Sequence, residues 1–459
     1  MHSNQQLEVK ETKKQPQVAA TPSWYATIWR WHFYAGFIFA PFLIILAITG
    51  GIYLFKPQIE EWLYRDAITI QAQSEKWTAT QQIEAVKNAY PTANITSYSP
   101  STMQDRATEI KVIENGESKS IYVNPYNGQV TGEVNNDQRF MVIIKELHGE
   151  LMIGKTGDRL VELASCWAVI LIVTGIYLWW PRGNRSLFGT LIPRFSNGKR
   201  IFWRDIHVVT GIWLSGLILI LIFTGLPWSG VWGEAIQKIS TATNTGRPAA
   251  LSAPPQSTIP TKDIAEVSWA TEQVPVPNSL QEGTVTIPIE NAIKILEEKS
   301  LDNDYTISLP RGDTGVYTVS IRPKKPEGQA TLHIDQYSSE VLTDIRFSDY
   351  GPLAKAISIG IALHEGRYFG LANQLLCLFV CIGIVFIAVS GLIMWWKRKP
   401  KGKLGAPAAP NSTTVSKTLV LIIIAFSLFF PLVGISLIVV LLFDWLLLNR
   451  LPKLKQWIG

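Results

Sequence analysis

The chain has 459 residues, 47% hydrophobic and 17% charged, with 42 Lys plus Arg against 36 Asp plus Glu for a formal charge of +6. Charged residues make up about 25% of an ordinary soluble domain, and 17 Trp, 18 Phe and 14 Tyr complete an unusually aromatic composition. This excludes a disordered chain and argues against a soluble enzyme. The basic residues flank apolar segments, as in membrane proteins, so nucleic acid is not an expected partner.

Residues 1–23 form a polar tail with His2, Lys10, Lys13 and Lys14. The apolar run 33–55 is too long for a secretory signal and lacks a small-residue cleavage site, so 24–55 reads as an uncleaved transmembrane helix with a cytoplasmic N-terminus. In the outer segment 56–147, residues 80–89 have helical spacing. Residues 110–113 and 120–123 read as strands leading to the turn Asn124-Pro125-Tyr126-Asn127-Gly128. A second run, 160–180, holds one acid, Glu162, near its outer end, and 148–180 is an interfacial segment plus this span. The loop 181–205 carries Arg182, Arg185, Arg194, Lys199, Arg200 and Arg204 against Asp205 alone, which places it in the cytoplasm.

The third span, 206–228, leads out to a segment, 229–363, with a helix over 289–296, strands over 316–321 and 331–334, and a turn over 335–339. Within it, 240–285 is rich in Pro, Ser, Thr and Ala and reads as a loop or flexible insertion rather than core. Residues 364–396 return through a fourth span to the basic linker 397–417, with Lys397, Arg398, Lys399, Lys401 and Lys403. The stretch 418–448 would be about 46 Å long as one straight helix. Pro431 to Gly434 at its middle, Asp444, and the basic tail 449–459 with Arg450, Lys453 and Lys455 favour a hairpin or re-entrant pair over a single tilted helix. The expected fold is an α-helical integral membrane protein with two small α+β extracytoplasmic domains.

An internal repeat carries the chemistry. His32-x3-Gly36-x12-Thr49-Gly50 recurs as His207-x3-Gly211-x12-Thr224-Gly225. Likewise His148 precedes Gly154, Thr174-Gly175 and Trp179-Trp180 as His364 precedes Gly370, Ser390-Gly391 and Trp395-Trp396. Both copies start in the cytoplasm, so this is a parallel repeat whose pseudo-twofold axis follows the membrane normal and brings equivalent residues to one depth. His32 and His207 then lie near the cytoplasmic face, and His148 and His364 near the outer one. Two histidines at each face suit two b-type haems with imidazole axial ligands in a helical bundle.

Gly36 and Gly211 share a helix face with their histidines and leave room for a flat macrocycle, or equally for a packed helix. Arg30 and Arg204 are placed to reach haem propionates, although snorkelling anchors would look the same. The competing assignments for the histidines are helix packing and a non-haem metal. His333 has no histidine counterpart in the first domain and reads as a surface residue. Cys166, Cys377 and Cys381 lie in apolar runs and read as small hydrophobes. No dinucleotide or flavin motif is visible, so electrons would come from a partner.

The segments Tyr122-Val123-Asn124-Pro125-Tyr126-Asn127-Gly128-Gln129-Val130 and His333-Ile334-Asp335-Gln336-Tyr337-Ser338-Ser339-Glu340-Val341 resemble PepSY domains. Thr174-Gly175-Ile176-Tyr177-Leu178-Trp179-Trp180-Pro181 and Gly391-Leu392-Ile393-Met394-Trp395-Trp396 resemble PepSY-associated transmembrane helices. The resemblance covers about residues 24–400; the second unit lacks the Pro-Tyr and Gly of the first turn. It implies a bacterial inner-membrane, iron-regulated protein similar to ferric-siderophore reductases. On that resemblance His32, His148, His207 and His364 are haem-ligand positions, the acceptor is a ferric siderophore, and the donor is cytoplasmic or a quinol. The alternatives are a non-enzymatic PepSY peptide sensor or peptidase regulator, and a chelate transporter. The transporter is disfavoured by the absence of a mid-bilayer carboxylate in the four spans.

Overall fold

The computed structural model describes residues 24–181, 187–195, 198–246, 256–279, 285–301, 304–405, 417–443, 445–446 and 450–451. His2, Lys10, Lys13, Lys14, Arg182, Arg185, Asp444, Lys453 and Lys455 lie outside these residues.

In chain order, α1 (Trp24–Tyr53) is followed by the short α2 (Lys56–Leu63) and α3 (Arg65–Ile68), then α4 (Ala79–Ala89). A hydroxyl and an amide make a capping box at the start of α4, between Thr78 and Gln81. Strands β1 (Asn94–Ser99), β2 (Thr108–Glu114), β3 (Glu117–Val123) and β4 (Val130–Asn135) complete the first unit. Asn115 and Gly116, both at positive φ, form the two-residue turn between β2 and β3 that matches strand twist. Helix α5 (Phe140–Glu150) then leads to α6 (Gly154–Trp179).

The second half repeats this order. It runs through α7 (Lys199–Gly225), α8 (Gly230–Ala242), the strands β5 (Gln256–Pro260) and β6 (Pro275–Pro277), and α9 (Ile289–Glu298). Strands β7 (Tyr305–Ser308), β8 (Val316–Ile321), β9 (Ala330–Asp335) and β10 (Val341–Arg346) follow, then α10 (Pro352–His364) and α11 (Leu371–Arg398). Last come α12 (Lys417–Phe429) and α13 (Pro431–Phe443).

Helices α1, α6, α7 and α11 are long and apolar enough to cross a bilayer, which makes this a multi-pass membrane protein. They pack through small residues, such as Ala35 of α1 and Ala164 of α6, which are buried beside Phe39 and Trp167.

Eight strands, four from each unit, join one antiparallel sheet in the order β10-β9-β8-β7-β1-β2-β3-β4, and β5 pairs with β6 separately. The units meet where β1 pairs with β7, Tyr98 opposite Ile307. Alternation along β2 sends Ile110 and Val112 into a core beneath α4 and α9, shared with Leu296 and Leu332.

Two expectations need correction. Part of 240–285 is core, because Trp269 and Ala270 pack against Ile357 and Ile361 of α10. The same segment covers the sheet face opposite α4 and α9, so His333 of β9 is buried rather than on the surface. Its Nδ1 bonds to Thr343 Oγ1 at 2.8 Å, and burial pushes its pKa down to about 4.

Between α12 and α13 the chain reverses at Phe430, bringing Gly434 against Ser427; a Cβ on Gly434 would lie 3.0 Å from the serine Cβ. Indole donors tie this pair of helices to the bundle: Trp167 Nε1 donates to Ser436 Oγ and Trp232 Nε1 to the Phe429 carbonyl.

Candidate functional site: two facing imidazole pairs

Each repeated histidine faces its equivalent from the other half. His32 of α1 and His207 of α7 have ring centroids 6.3 Å apart with planes at 86°. His148 of α5 and His364 of α10, at the end of the bundle nearest the sheet, are 6.4 Å apart at 62°. The helix segments separating the two levels are equal, 32 to 49 on α1 and 207 to 224 on α7, about 26 Å each at 1.5 Å per residue.

Serine and threonine hydroxyls hold the rings. His32 Nδ1 meets Thr174 Oγ1 at 2.9 Å, and His148 Nδ1 meets Thr49 Oγ1 at 3.0 Å. His207 Nδ1 bonds to the Ile387 carbonyl at 2.9 Å and Ser390 Oγ at 3.1 Å; His364 Nδ1 bonds to the Leu221 carbonyl at 2.9 Å and Thr224 Oγ1 at 3.2 Å. A carbonyl only accepts, so Nδ1 of His207 and His364 carries the proton. Thr49 and Thr174 each donate their own proton to a carbonyl four residues back, at 2.7 Å, so toward the ring they too accept. All four imidazoles are thereby set with Nδ1–H bonded and the Nε2 lone pair left over, the arrangement of a metal-ligating histidine.

The glycine after each hydroxyl residue seats the ring. A Cβ on Gly50, Gly175, Gly225 or Gly391 would lie 3.0, 3.3, 3.0 or 3.4 Å from Cε1 of His148, His32, His364 or His207. Gly36 and Gly211 have a different part: they line the cavity, with only Leu171 within 4 Å of a Cβ on Gly36 and nothing near one on Gly211.

One cavity of about 1900 Å³ contains both pairs. That is well above the roughly 300–1,000 Å³ of a small-molecule pocket. Its wall between the levels is apolar, including Ala40, Leu43 and Ala47 of α1. Arg194, Arg204 and Arg398 stand at the end far from the sheet, and Lys56, Lys145, Lys262 and Arg322 at the sheet end. Arg204 also bonds the buried Asp205 at 2.8 Å, which Arg194 holds at 2.7 Å. The Arg30 guanidinium lies over the Tyr34 ring, 5.1 Å from its centroid, and the cavity wall beside it is made by Trp29, His32 and Phe33.

Burial, followed by the neighbouring His364, lowers the His148 pKa to about 4, and burial also lowers that of His364. Both are neutral at physiological pH, as ligands must be. Nitrogen–metal bonds of about 2 Å on opposite sides of one ion put imidazole centroids roughly 6 Å apart, so each pair fits an axial donor set. Among the described residues no group of three or more His, Cys, Asp and Glu could hold a bare metal ion. Two imidazoles suit a metal whose other positions a macrocycle fills.

Glu162 is buried and structural: its oxygens accept the N–H groups of Val231 and Trp232 at 2.8 and 3.0 Å in the first turn of α8. The three cysteines are free and buried.

Sequence spacing picked out the histidines and glycines but not the hydroxyl partners, nor Arg398 and Arg194. The repeat contains these partners as the residue before each glycine, Thr49, Thr174, Thr224 or Ser390, but spacing alone gives them no role. No curated protein matches the chain. Residues 29–398, a span that includes all four paired histidines, match the family model described as the PepSY-associated TM region, and the chain belongs to that family.

Proposed function

We propose that this protein is a di-haem b-type electron-transfer protein of the bacterial inner membrane that reduces ferric chelates of the siderophore class on the periplasmic side. In this reading the N-terminus is cytoplasmic, the sheet is periplasmic, and a cytoplasmic or quinol donor supplies electrons. The observation that carries it is the two facing imidazole pairs, each with Nδ1 engaged, in one cavity along the bundle.

His32 and His207 would hold one haem, and His148 and His364 the other. When bound, the haems supply one-electron transfer between the two faces. With two imidazoles offered at each level, the site would favour electron transfer over oxygen binding. The wall between the levels is largely apolar, and lysines and arginines line the sheet end, where the acceptor would bind. Lys397, Lys399, Lys401 and Lys403, all at the far end of α11 or just beyond it, support the orientation. Ferrous iron is a weaker partner for hard oxygen donors than ferric iron, so reduction loosens the chelate.

The test is a visible spectrum of the detergent-purified protein, oxidised and then dithionite-reduced, with haem quantified per chain. Two haems per chain with a b-type α-band are expected, falling to one in His207→Ala. Absence of haem after expression with ample supply would sink the reading and leave the PepSY peptide-binding alternative.

A further inference from the structure

The repeat breaks at one place. Residues 69–78 join α3 to α4, whereas residues 243–288 join α8 to α9. The described part of this longer connection is anchored by Trp269 and Ala270 against α10, and it contributes Lys262, Glu266 and Glu272 to the sheet end of the cavity. The two carboxylates differ. Glu266 is tied to Lys111 at 3.4 Å and to Arg322 at 3.1 Å. The half-buried Glu272 side chain makes no hydrogen bond or ion pair among the described residues; only its backbone is engaged, its carbonyl accepting from the Lys262 N–H and its own N–H donating to the Ser268 carbonyl.

We propose that Glu272 is the general acid of the acceptor chamber, giving its proton to a chelator oxygen as the iron is reduced. This rests on the electron-transfer reading above. On that reading the ferric ion would gain one electron, supplied by way of the group that His148 and His364 would hold, and become ferrous. The iron–oxygen bond breaks, the chelator oxygen keeps the electron pair, and that pair takes the proton from the Glu272 carboxyl. The resulting carboxylate is reprotonated from water outside. Hydroxamate oxygens bind iron deprotonated, so capturing them with a proton prevents their return to the metal.

Burial favours the protonated form of this carboxyl. Burial is the largest influence on Glu272 and raises its pKa above the ordinary carboxylate range, against the lowering effect of Lys262, Arg322 and Lys145. These three cations belong to its own segment, the end of β8 and α5. They would stabilise the carboxylate formed by the transfer.

The experiment mixes dithionite-reduced full-length protein with a ferric trihydroxamate and follows loss of the α-band by stopped flow across pH. Ferricyanide, whose reduction frees no oxygen donor, is the control acceptor, and the redox-inert gallium(III) trihydroxamate measures binding. For the wild type, the rate with the trihydroxamate should fall as pH rises through the Glu272 pKa. In Glu272→Gln it should drop at least about tenfold and lose that pH dependence. Ferricyanide oxidation and gallium-complex binding should stay at wild-type levels. The proposal is overturned if Glu272→Gln keeps the wild-type rate and pH profile, if ferricyanide oxidation slows equally, or if gallium-complex binding is lost. A wild-type protein that neither acceptor oxidises would instead refute the electron-transfer reading, and this proposal with it.

Discussion

At the residue scale, the site depends on contacts between helices that no local spacing announces. The histidines and glycines were legible because they recur at fixed offsets, but Thr49 serves His148, 99 positions away, and Thr174 serves His32, 142 positions away. Replacing Thr49 by Val keeps the shape and removes the hydroxyl acceptor of the His148 proton, leaving only the Leu46 backbone. Loss of such an outer-shell partner typically costs about 10–100-fold in metal affinity. On the di-haem proposal, Thr49→Val should therefore lose the sheet-end haem on dilution or competition with apomyoglobin, keep the far-end haem, and be rescued by Thr49→Ser. Equal retention of both haems would contradict the assigned role. Arg30, two residues before His32, places its guanidinium over the Tyr34 ring.

At the element scale, legibility followed how locally each element is determined. The bilayer-length helices are written in continuous apolar runs, and the β2–β3 hairpin in alternation plus Asn115-Gly116. Residues 256–279 look like loop by composition, and their burial comes from contacts with α10 that composition cannot report. His333 was misplaced for the same reason: what covers its side of β9 lies far away in sequence. Helix α8 depends on another distant partner, since Glu162 of α6 satisfies two N–H groups of its first turn. Glu162→Ala leaves those donors buried and unpaired, a destabilisation of about 1–3 kcal/mol. A lowered thermal-unfolding midpoint in detergent should register it; an unchanged midpoint would mean that α8 is held by packing alone.

At the scale of the whole molecule, the matched histidine spacing is written in the sequence, and in the structure His32 faces His207 and His148 faces His364. The union of both outer segments in one sheet was not legible, because a pairing such as Tyr98 with Ile307 leaves no trace in either strand alone. The halves are covalently joined only through the connection between α6 and α7, and they contact each other along the bundle and across the sheet. A chain cut within 182–197 should therefore reassemble. Co-expressed fragments are expected to copurify with two haems per pair, and either fragment alone to carry none. Haem on a single fragment would break the argument that ligand pairs need both halves.

The hydroxyl contacts have a further consequence. Each one stays within a half, Thr49 and Thr174 with His148 and His32, Thr224 and Ser390 with His364 and His207, while the facing rings always come from different halves. One half can orient its imidazoles but cannot pair them. Each half alone therefore presents oriented but unpaired rings, and only apposition of the two different halves completes both pairs and the eight-stranded sheet.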